Sequence, residues 1–437
     1  MIRTIQANNK SEFEAIARIG DRGGAPDADT EATVREILEN VRLRGDEAVR
    51  AYGLAFDGCV PDRPTLTRED MKAAFDSAPC GFRDAITAAA ENIRRYHEKQ
   101  VVRGYELRGE DGVVLGQIVR GLSRVGLYVP GGTAAYPSTV LMNAIPAKIA
   151  GVEELIMVTP PGKTGEANPL IAAAAFAAGV DRAILIGGAQ AVAALAYGTE
   201  TVPKVDKIVG PGNVFVAAAK RMIYGVADID MIAGPSEILI LADAGANPAF
   251  VAADLLSQAE HDARSASVLL TTDEGLAERV AAEIETRLDD LDRGETARAS
   301  IDGNGLIIIC RSDGEMTALA NHIAPEHLEI LTEEPMALLP EIRNAGSVFL
   351  GPWSPEPLGD YYAGSNHVLP TSGTARFASP LGVYDFVKRM SYTRYTKEAL
   401  KAAKDDIIEI GNAEGLTAHT ASIRVRFEGE GSCASEK

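Results

Sequence analysis

Four of the six histidines in this chain stand in polar stretches that are rich in other ligand and base types. His261 lies in Ser257-Gln258-Ala259-Glu260-His261-Asp262, and His327 follows Glu326 in Ala324-Pro325-Glu326-His327-Leu328. His367 closes Gly359-Asp360-Tyr361-Tyr362-Ala363-Gly364-Ser365-Asn366-His367, and His419 closes Glu414-Gly415-Leu416-Thr417-Ala418-His419. Neutral imidazole is the commonest metal ligand and the usual proton shuttle near neutral pH. An amide oxygen such as that of Gln258, paired with an imidazole, suits a borderline divalent ion. A carboxyl beside an imidazole, as at Glu326-His327, can divide proton transfers when burial sets their proton affinities apart. The expected centre is one site, assembled from distant segments, that holds a metal and an acid/base pair. Taken singly, each segment also has a plainer use. Gln258 and His261 can be a polar pair on a helix, Asp360 a loop turn, Glu326 a charged turn, and Glu414 and His419 an exposed helix.

The elements that must position these residues can be read from patterning. Asn247-Pro248 marks a helix start, with Asn as cap and Pro in the first turn. Gln258 and His261, three apart, would share a face of that helix. Glu326-His327 precede the apolar run Leu328 to Leu331, which places them at the start of a strand behind a stiff Pro325 turn. Asp360 and His367 fall in a long loop from Gly351 to Ser379, and long loops in compact domains are usually functional. Glu414 and His419 are five apart, so both point at one site only if the helix breaks near Gly415.

Residues 1–24 read as a short helix and a linker with Gly20, Gly23 and Gly24, and residues 29–98 as helices. Short Val- and Leu-rich runs from Tyr105 to Val129 suggest strands and a hairpin. From 137 to 350, helical stretches alternate with apolar runs at 155–158, 183–186, 207–209, 237–240, 267–270, 306–309 and 347–350. That alternation predicts parallel sheets covered on both faces, in two doubly wound modules. From Tyr384 onward the chain reads as helical, ending in a disordered polar tail after Phe427.

Gly-rich turns at Val129-Pro130-Gly131-Gly132, Gly187-Gly188-Ala189-Gln190 and Gly210-Pro211-Gly212-Asn213 are the cofactor signals. The last two follow β-runs and open helices, where backbone N–H groups can meet a phosphate. None is a GxGxxG fingerprint, so pattern alone makes a dinucleotide site only a weak reading.

A chain of 437 residues needs more than one core. Its 46% hydrophobic and 24% charged residues are ordinary for a globular protein. The net charge of −19 argues against nucleic acid or an anionic membrane as main partner. Cys59, Cys80, Cys310 and Cys433 are scattered, which predicts free thiols in a reducing compartment. Met1 to Gln6 lack a signal peptide's apolar core. The longest apolar stretch, Leu170 to Val180, is shorter than the roughly 20 residues a bilayer requires. A cytoplasmic protein is expected.

Together these segments resemble the histidinol dehydrogenase family, from about residue 30 to residue 425. The strings that carry the resemblance are Leu127 to Gly132, Gly187 to Ala191, Gly210 to Asn213, Ala233-Gly234-Pro235-Ser236-Glu237, Ser257 to Asp262, Ala324 to Glu329, and Asn366-His367-Val368-Leu369-Pro370-Thr371, in this order and spacing. The resemblance implies an α/β fold with two incomplete Rossmann-like, doubly wound domains and small helical N- and C-terminal segments, in an intertwined homodimer. The expected division is a 1–24 helical arm, a discontinuous first domain of 25–129 and 241–381, a second domain of 130–240, and a 382–437 segment reaching the partner subunit. It further implies NAD-dependent oxidation of L-histidinol to L-histidine through L-histidinaldehyde, the last steps of histidine biosynthesis, with one Zn2+ per subunit.

Carried over by position, Gln258, His261, Asp360 and His419 would ligate zinc, and Glu326 and His327 would transfer protons. Substrate contacts would come from Ser236, Gln258, His261, His327, Asp360, His367, Glu414 and His419. NAD contacts would come from Tyr128, Gln190 and Asn213. Because the family's C-terminal segment serves the partner's site, Glu414 and His419 need not meet the ligands of their own chain. Ser365 stands where this loop more often has Pro or Thr, and relatives oxidise other polar alcohols such as sulfonated diols. Retention of Glu414 and His367 favours a cationic amino alcohol over an anionic sulfonate. A zinc hydrolase using Glu326 fits less well, since hydrolysis needs no Gly-rich turns after strands. A catalytically inert binding protein would not need the full set of ligand and base positions.

Overall fold

Strands that are apolar throughout require cover on both faces, and the chain supplies that cover twice. The computed structural model describes residues 2–8, 10–20, 27–131 and 136–428. Gly23 and Gly24 of the expected linker, Gly132, and the expected polar tail beyond residue 428 lie outside them. Two units result: Met1–Val101 with Gly121–Phe386, and Val102–Arg120 with Val387–Lys437.

The first unit carries two six-stranded sheets. One runs Arg3–Gln6, Leu306–Ile309, Ala266–Thr271, Glu237–Ala242, His327–Leu331, Ser347–Leu350, and is parallel throughout. The other runs Thr65–Leu66, Arg182–Leu185, Glu154–Thr159, Arg124–Tyr128, Lys207–Val209, Asp228–Ile229. It is parallel except for its antiparallel edge strand Thr65–Leu66. Each sheet is wound outward from an inner strand and then resumed on that strand's other flank. The first reverses between Glu237–Ala242 and His327–Leu331, the second between Arg124–Tyr128 and Lys207–Val209. Such reversals open crevices at strand ends.

The helices follow from caps and apolar stripes. Asn247 accepts a hydrogen bond from the Ala249 N–H and starts Pro248–Ala259, as its sequence predicts. Val251 and Leu255 of that helix pack on the first sheet with Val280, Ile284 and Ile301. On the opposite face Met316 and Leu319 bury against Leu239, Leu241 and Leu328. Each such side chain contributes about 1.5–3 kcal/mol on burial. Every residue of Glu237–Ala242, Ala266–Thr271 and His327–Leu331 is buried. Among the described residues no helix is long and apolar enough to cross a membrane.

Sheet membership cuts the chain differently from the expected 25–129/241–381 and 130–240 division. Thr65–Leu66 and Arg124–Tyr128 belong to the second sheet. The helix Ala28–Arg44 buries Val34, Ile37, Leu38 and Val41 in a cluster with Val192, Leu195 and Val216, beside that same sheet. The stripe fits there because the alanine-rich helix Gly188–Tyr197 offers a shallow apolar face. The segment expected as a helical N-terminal arm also supplies the edge strand Arg3–Gln6. Within 382–437, Val387–Arg394 is a strand in a three-stranded sheet with Val114–Gly121 and Tyr105–Arg108. Most of its residues are exposed and it lacks apolar alternation, so its sequence carries no strand signal. The helices Lys397–Ala413 and Thr417–Arg424 are separated at Gly415, whose φ of +74° requires glycine.

The loop after residue 360 is tied down by a buried polar knot. Asn366 donates to the Met142 carbonyl at 2.7 Å and accepts from the Val368 N–H at 2.9 Å. Its amide also reaches His97 Nε2 at 3.3 Å, while His97 Nδ1 meets the Ile93 carbonyl at 2.9 Å. A carbonyl can only accept, so Nδ1 carries a proton, and with the Asn366 N–H on Nε2 that nitrogen accepts and His97 is neutral. Burial pushes its pKa below the ordinary 6.5. The unfolded chain therefore binds an extra proton as pH falls below that value, and stability is lost on the acid side. Between about pH 7.5 and pH 5.5, the melting temperature of the native chain should fall more steeply than that of His97→Gln. Equal slopes in thermal melts would show that His97 is not held neutral.

Candidate active site

Polar residues inside otherwise apolar strands are the informative exception to burial, and here they gather at one edge of the first sheet. Glu237 opens one inner strand and His327 the next, one register step apart, with Ile238 opposite His327. The Glu237 peptide grips both expected proton-transfer residues. Its N–H donates to Glu326 Oε2 at 2.9 Å, and its carbonyl accepts from His327 Nδ1 at 3.0 Å. The Glu237 carboxylate accepts from the Ser372 N–H at 2.7 Å. Ser236 lies just before this strand, and its carbonyl accepts from the Ala266 N–H. Ala324, in the left-handed region at φ 52°, ends the helix Asp313–Ile323 and turns the chain into Pro325-Glu326.

Because Nδ1 donates, His327 Nε2 is the bare nitrogen. It is buried with no hydrogen-bond partner, 3.7 Å from Glu356 Oε1 and 3.9 Å from Asp360 Oδ1. Burial pushes the His327 pKa down to about 4. Burial also raises Glu326 well above the usual carboxylate range, against the pull of the Glu237 N–H. Nearby Glu237, Asp360 and Glu356 push it further the same way.

Asp360, expected in a loop, stands on the short helix Glu356–Tyr361. Its Oδ1 is 3.8 Å from His367 Nδ1, and His367 Nε2 is 3.3 Å from Thr139 Oγ1. Burial pushes His367 down to about 4. Burial raises Asp360 and Glu356, and for Glu356 the adjacent Asp360 charge adds to it. Gln258 is buried, and its amide lies against the Glu356 carboxyl without closing a hydrogen bond at either end. His261 lies past the end of its helix rather than on it, with its N–H on the Gln258 carbonyl. It is exposed in the single chain, yet surrounded enough that desolvation lowers its pKa, and its charge would be felt at His327.

Gln258, His261, Asp360, Glu326, His327 and His367 are thus brought to one centre. Glu414 and His419 belong to the second unit and are exposed there, Glu414 closing one helix and His419 in the first turn of the next. Sequence reasoning missed Glu237 and Glu356. Glu356 could have been found, since it lies four residues before Asp360 behind Pro355 and so shares its helix face.

A divalent ion fits this donor set. One ligand atom from each of His327, Glu356 and Asp360 lies within 4.8 Å of the other two. Both amide atoms of Gln258, His327 Nε2 and Glu356 Oε1 are buried without partners, and buried polar groups seldom stay so unless something binds them. The oxygen and nitrogen donors suit a zinc-like ion.

The expected dinucleotide contacts sit on the second sheet. Tyr128 ends one inner strand, and its hydroxyl accepts from the Gly188 N–H at 3.0 Å. Burial pushes its pKa up to about 12, so the hydroxyl stays neutral. Gly188 has φ +65°, and a Cβ there would come within 2.5 Å of Gln190 Oε1, a buried atom without a partner. Gly210, at φ +108°, passes so close to the Tyr128 carbonyl that a Cβ would stand 2.1 Å from it. Asn213 accepts from the Phe215 and Val216 N–H groups and caps its helix.

Known proteins resemble this chain over nearly its whole length. The family model described as histidinol dehydrogenase matches residues 21–427. A protein of that name from Clostridium acetobutylicum is 51% identical over 428 residues, covering 98% of this chain and 99% of the relative. One from Streptococcus mutans is 54% identical over 398 residues, covering 91% and 93%. The crystal structure of histidinol dehydrogenase from Elizabethkingia anophelis superposes with a TM-score of 0.91 at 36% identity, covering 99% of each chain. A match over almost the whole chain, in sequence and in fold, makes this protein a member of the histidinol dehydrogenase family.

Proposed function

We propose that this chain oxidises L-histidinol to L-histidine through bound L-histidinaldehyde, with two NAD+ consumed and one zinc ion per subunit, as a cytoplasmic homodimer. The observation that carries the reading is His327, whose Nδ1–H is fixed by the Glu237 carbonyl and whose bare Nε2 faces the acidic cluster. When bound, zinc supplies an anchor for the imidazole and amino nitrogens of the substrate, and NAD+ supplies the hydride acceptor. Gln258, His261 and Asp360, with His419, would hold the zinc. Tyr128, Gln190 and Asn213 would border the dinucleotide.

In the alcohol step, His327 Nε2 takes the hydroxyl proton as the carbon loses hydride. The fixed tautomer keeps that nitrogen aimed without reorganisation. The aldehyde must then add water before a second hydride can leave. Glu326 takes the proton from that water; burial raises its proton affinity, which makes its ionised form a stronger base. His367, Ser236 and Glu414 orient the amino alcohol, and the carboxylate of Glu414 suits its cationic end. Exposure of Glu414 and His419 in the single chain supports their serving a partner's site. The second unit also exposes Ile410, Leu416 and Val425, apolar surface suited to a subunit interface.

With limiting L-histidinol and zinc-loaded enzyme, NADH formed per substrate consumed should be close to two, with histidine as product. NADH from a sulfonated diol and none from histidinol would move the substrate to that class. Glu326→Gln should slow aldehyde oxidation by about 10²-fold or more, and alcohol oxidation less. Equal slowing of both in single-turnover assays would remove Glu326 from the water step. Mixing His419→Ala chains with His327→Ala chains should restore part of the activity if sites are shared. Verified mixed dimers without activity would place each site within one chain.

A further inference from the structure

Glu356 is a buried carboxyl with no part in the proton transfers above, and it is held unusually firmly. It is 2% exposed, and its N–H donates to Glu329 Oε1 at 2.7 Å. Glu329 is itself fully buried, on the strand that begins with His327. The Ser257 hydroxyl reaches Glu356 Oε2 at 3.4 Å and donates at 2.8 Å to the Asp254 carbonyl. Glu356 Oε1 has no donor, and the neighbouring Gln258 amide has no partner at either end. A carboxyl oxygen without a proton accepts, whereas an amide has a donating and an accepting end. The two orphans are satisfied together when Gln258 Nε2–H turns to Glu356 Oε1, which leaves Gln258 Oε1 turned away from it. A metal needs that oxygen, not the nitrogen.

We propose that Glu356 is a positioning residue of the metal site, which takes the N–H of Gln258 so that the amide oxygen faces the ion. It acts from the same helix face as Asp360, four residues on, and so sets two ligands at once. The inference rests on the reading that Gln258 and Asp360 hold zinc. Outer partners of this kind tune affinity without touching the metal.

The test is zinc affinity of the full-length, metal-free protein, measured by competition with a chromophoric chelator in the absence of NAD+ and histidinol. Glu356→Met fills the volume without an oxygen acceptor, and replacing a buried charge by an isosteric apolar group commonly preserves folding. It should weaken zinc binding by about 10- to 100-fold. Glu356→Gln keeps an acceptor for the Gln258 N–H and should recover most of that loss, with melting curves of both metal-free variants confirming the fold. Zinc bound as tightly by Glu356→Met as by the native chain would overturn the proposal. Glu356→Gln as weak as Glu356→Met would also overturn it, and would make Glu356 a charged ligand instead. A native chain that binds no zinc would overturn the metal reading beneath it.

Discussion

One peptide group anchors the proposed proton-transfer pair of this molecule. The Glu237 N–H and carbonyl, at the mouth of an inner strand, hold the carboxyl of Glu326 and the imidazole of His327. Backbone atoms of a buried parallel sheet are among the most rigid groups a protein possesses, since moving them breaks the ladder on both sides. The proposed acid and base are therefore oriented by the sheet itself rather than by other mobile side chains. The surrounding burial then separates their proton affinities, raising Glu326 and lowering His327. Fold and reactivity thus meet in a hydrogen-bond pair that apolar packing on both faces keeps dry.

The two sheets of the first unit present opposite edges. In the second sheet the expected cofactor turns follow the carboxyl ends of strands, at the reversal between Arg124–Tyr128 and Lys207–Val209, where open α/β sheets ordinarily bind ligands. In the first sheet the polar cluster lies at the amino ends, at the reversal between Glu237–Ala242 and His327–Leu331. The loop bearing His367 bridges the two, because Thr139 and Met142, on the helix that follows Tyr128, hold His367 and Asn366. The proposed hydride transfer between a substrate on one sheet and NAD+ on the other would require such a tie.

Much of this was legible before any coordinates. The apolar runs at 237–240, 267–270 and 306–309 became buried strands because uniform apolarity of this length has few other uses in a globular chain. Asn247-Pro248 and Gly415 did what caps and breaks do. Grouping of elements was not legible, because the stripe of Ala28–Arg44 would suit any apolar face, and only packing selects the second sheet. The polar strand Val387–Arg394 was hidden for the opposite reason, having no apolar period to read. In the site, histidines announced themselves by scarcity. Glu237 and Glu356 did not, since acidic residues are common and their roles depend on backbone groups and burial.

Ala324 shows what this arrangement demands of the chain. A residue with a Cβ in the left-handed region costs roughly 1–2 kcal/mol that glycine would not. Glycine there would also enlarge the conformational repertoire of the chain entering Pro325-Glu326. The alanine trades ground-state comfort for a stiffer approach to the carboxyl. Selection for thermostability alone and selection for turnover would pull this position in different directions.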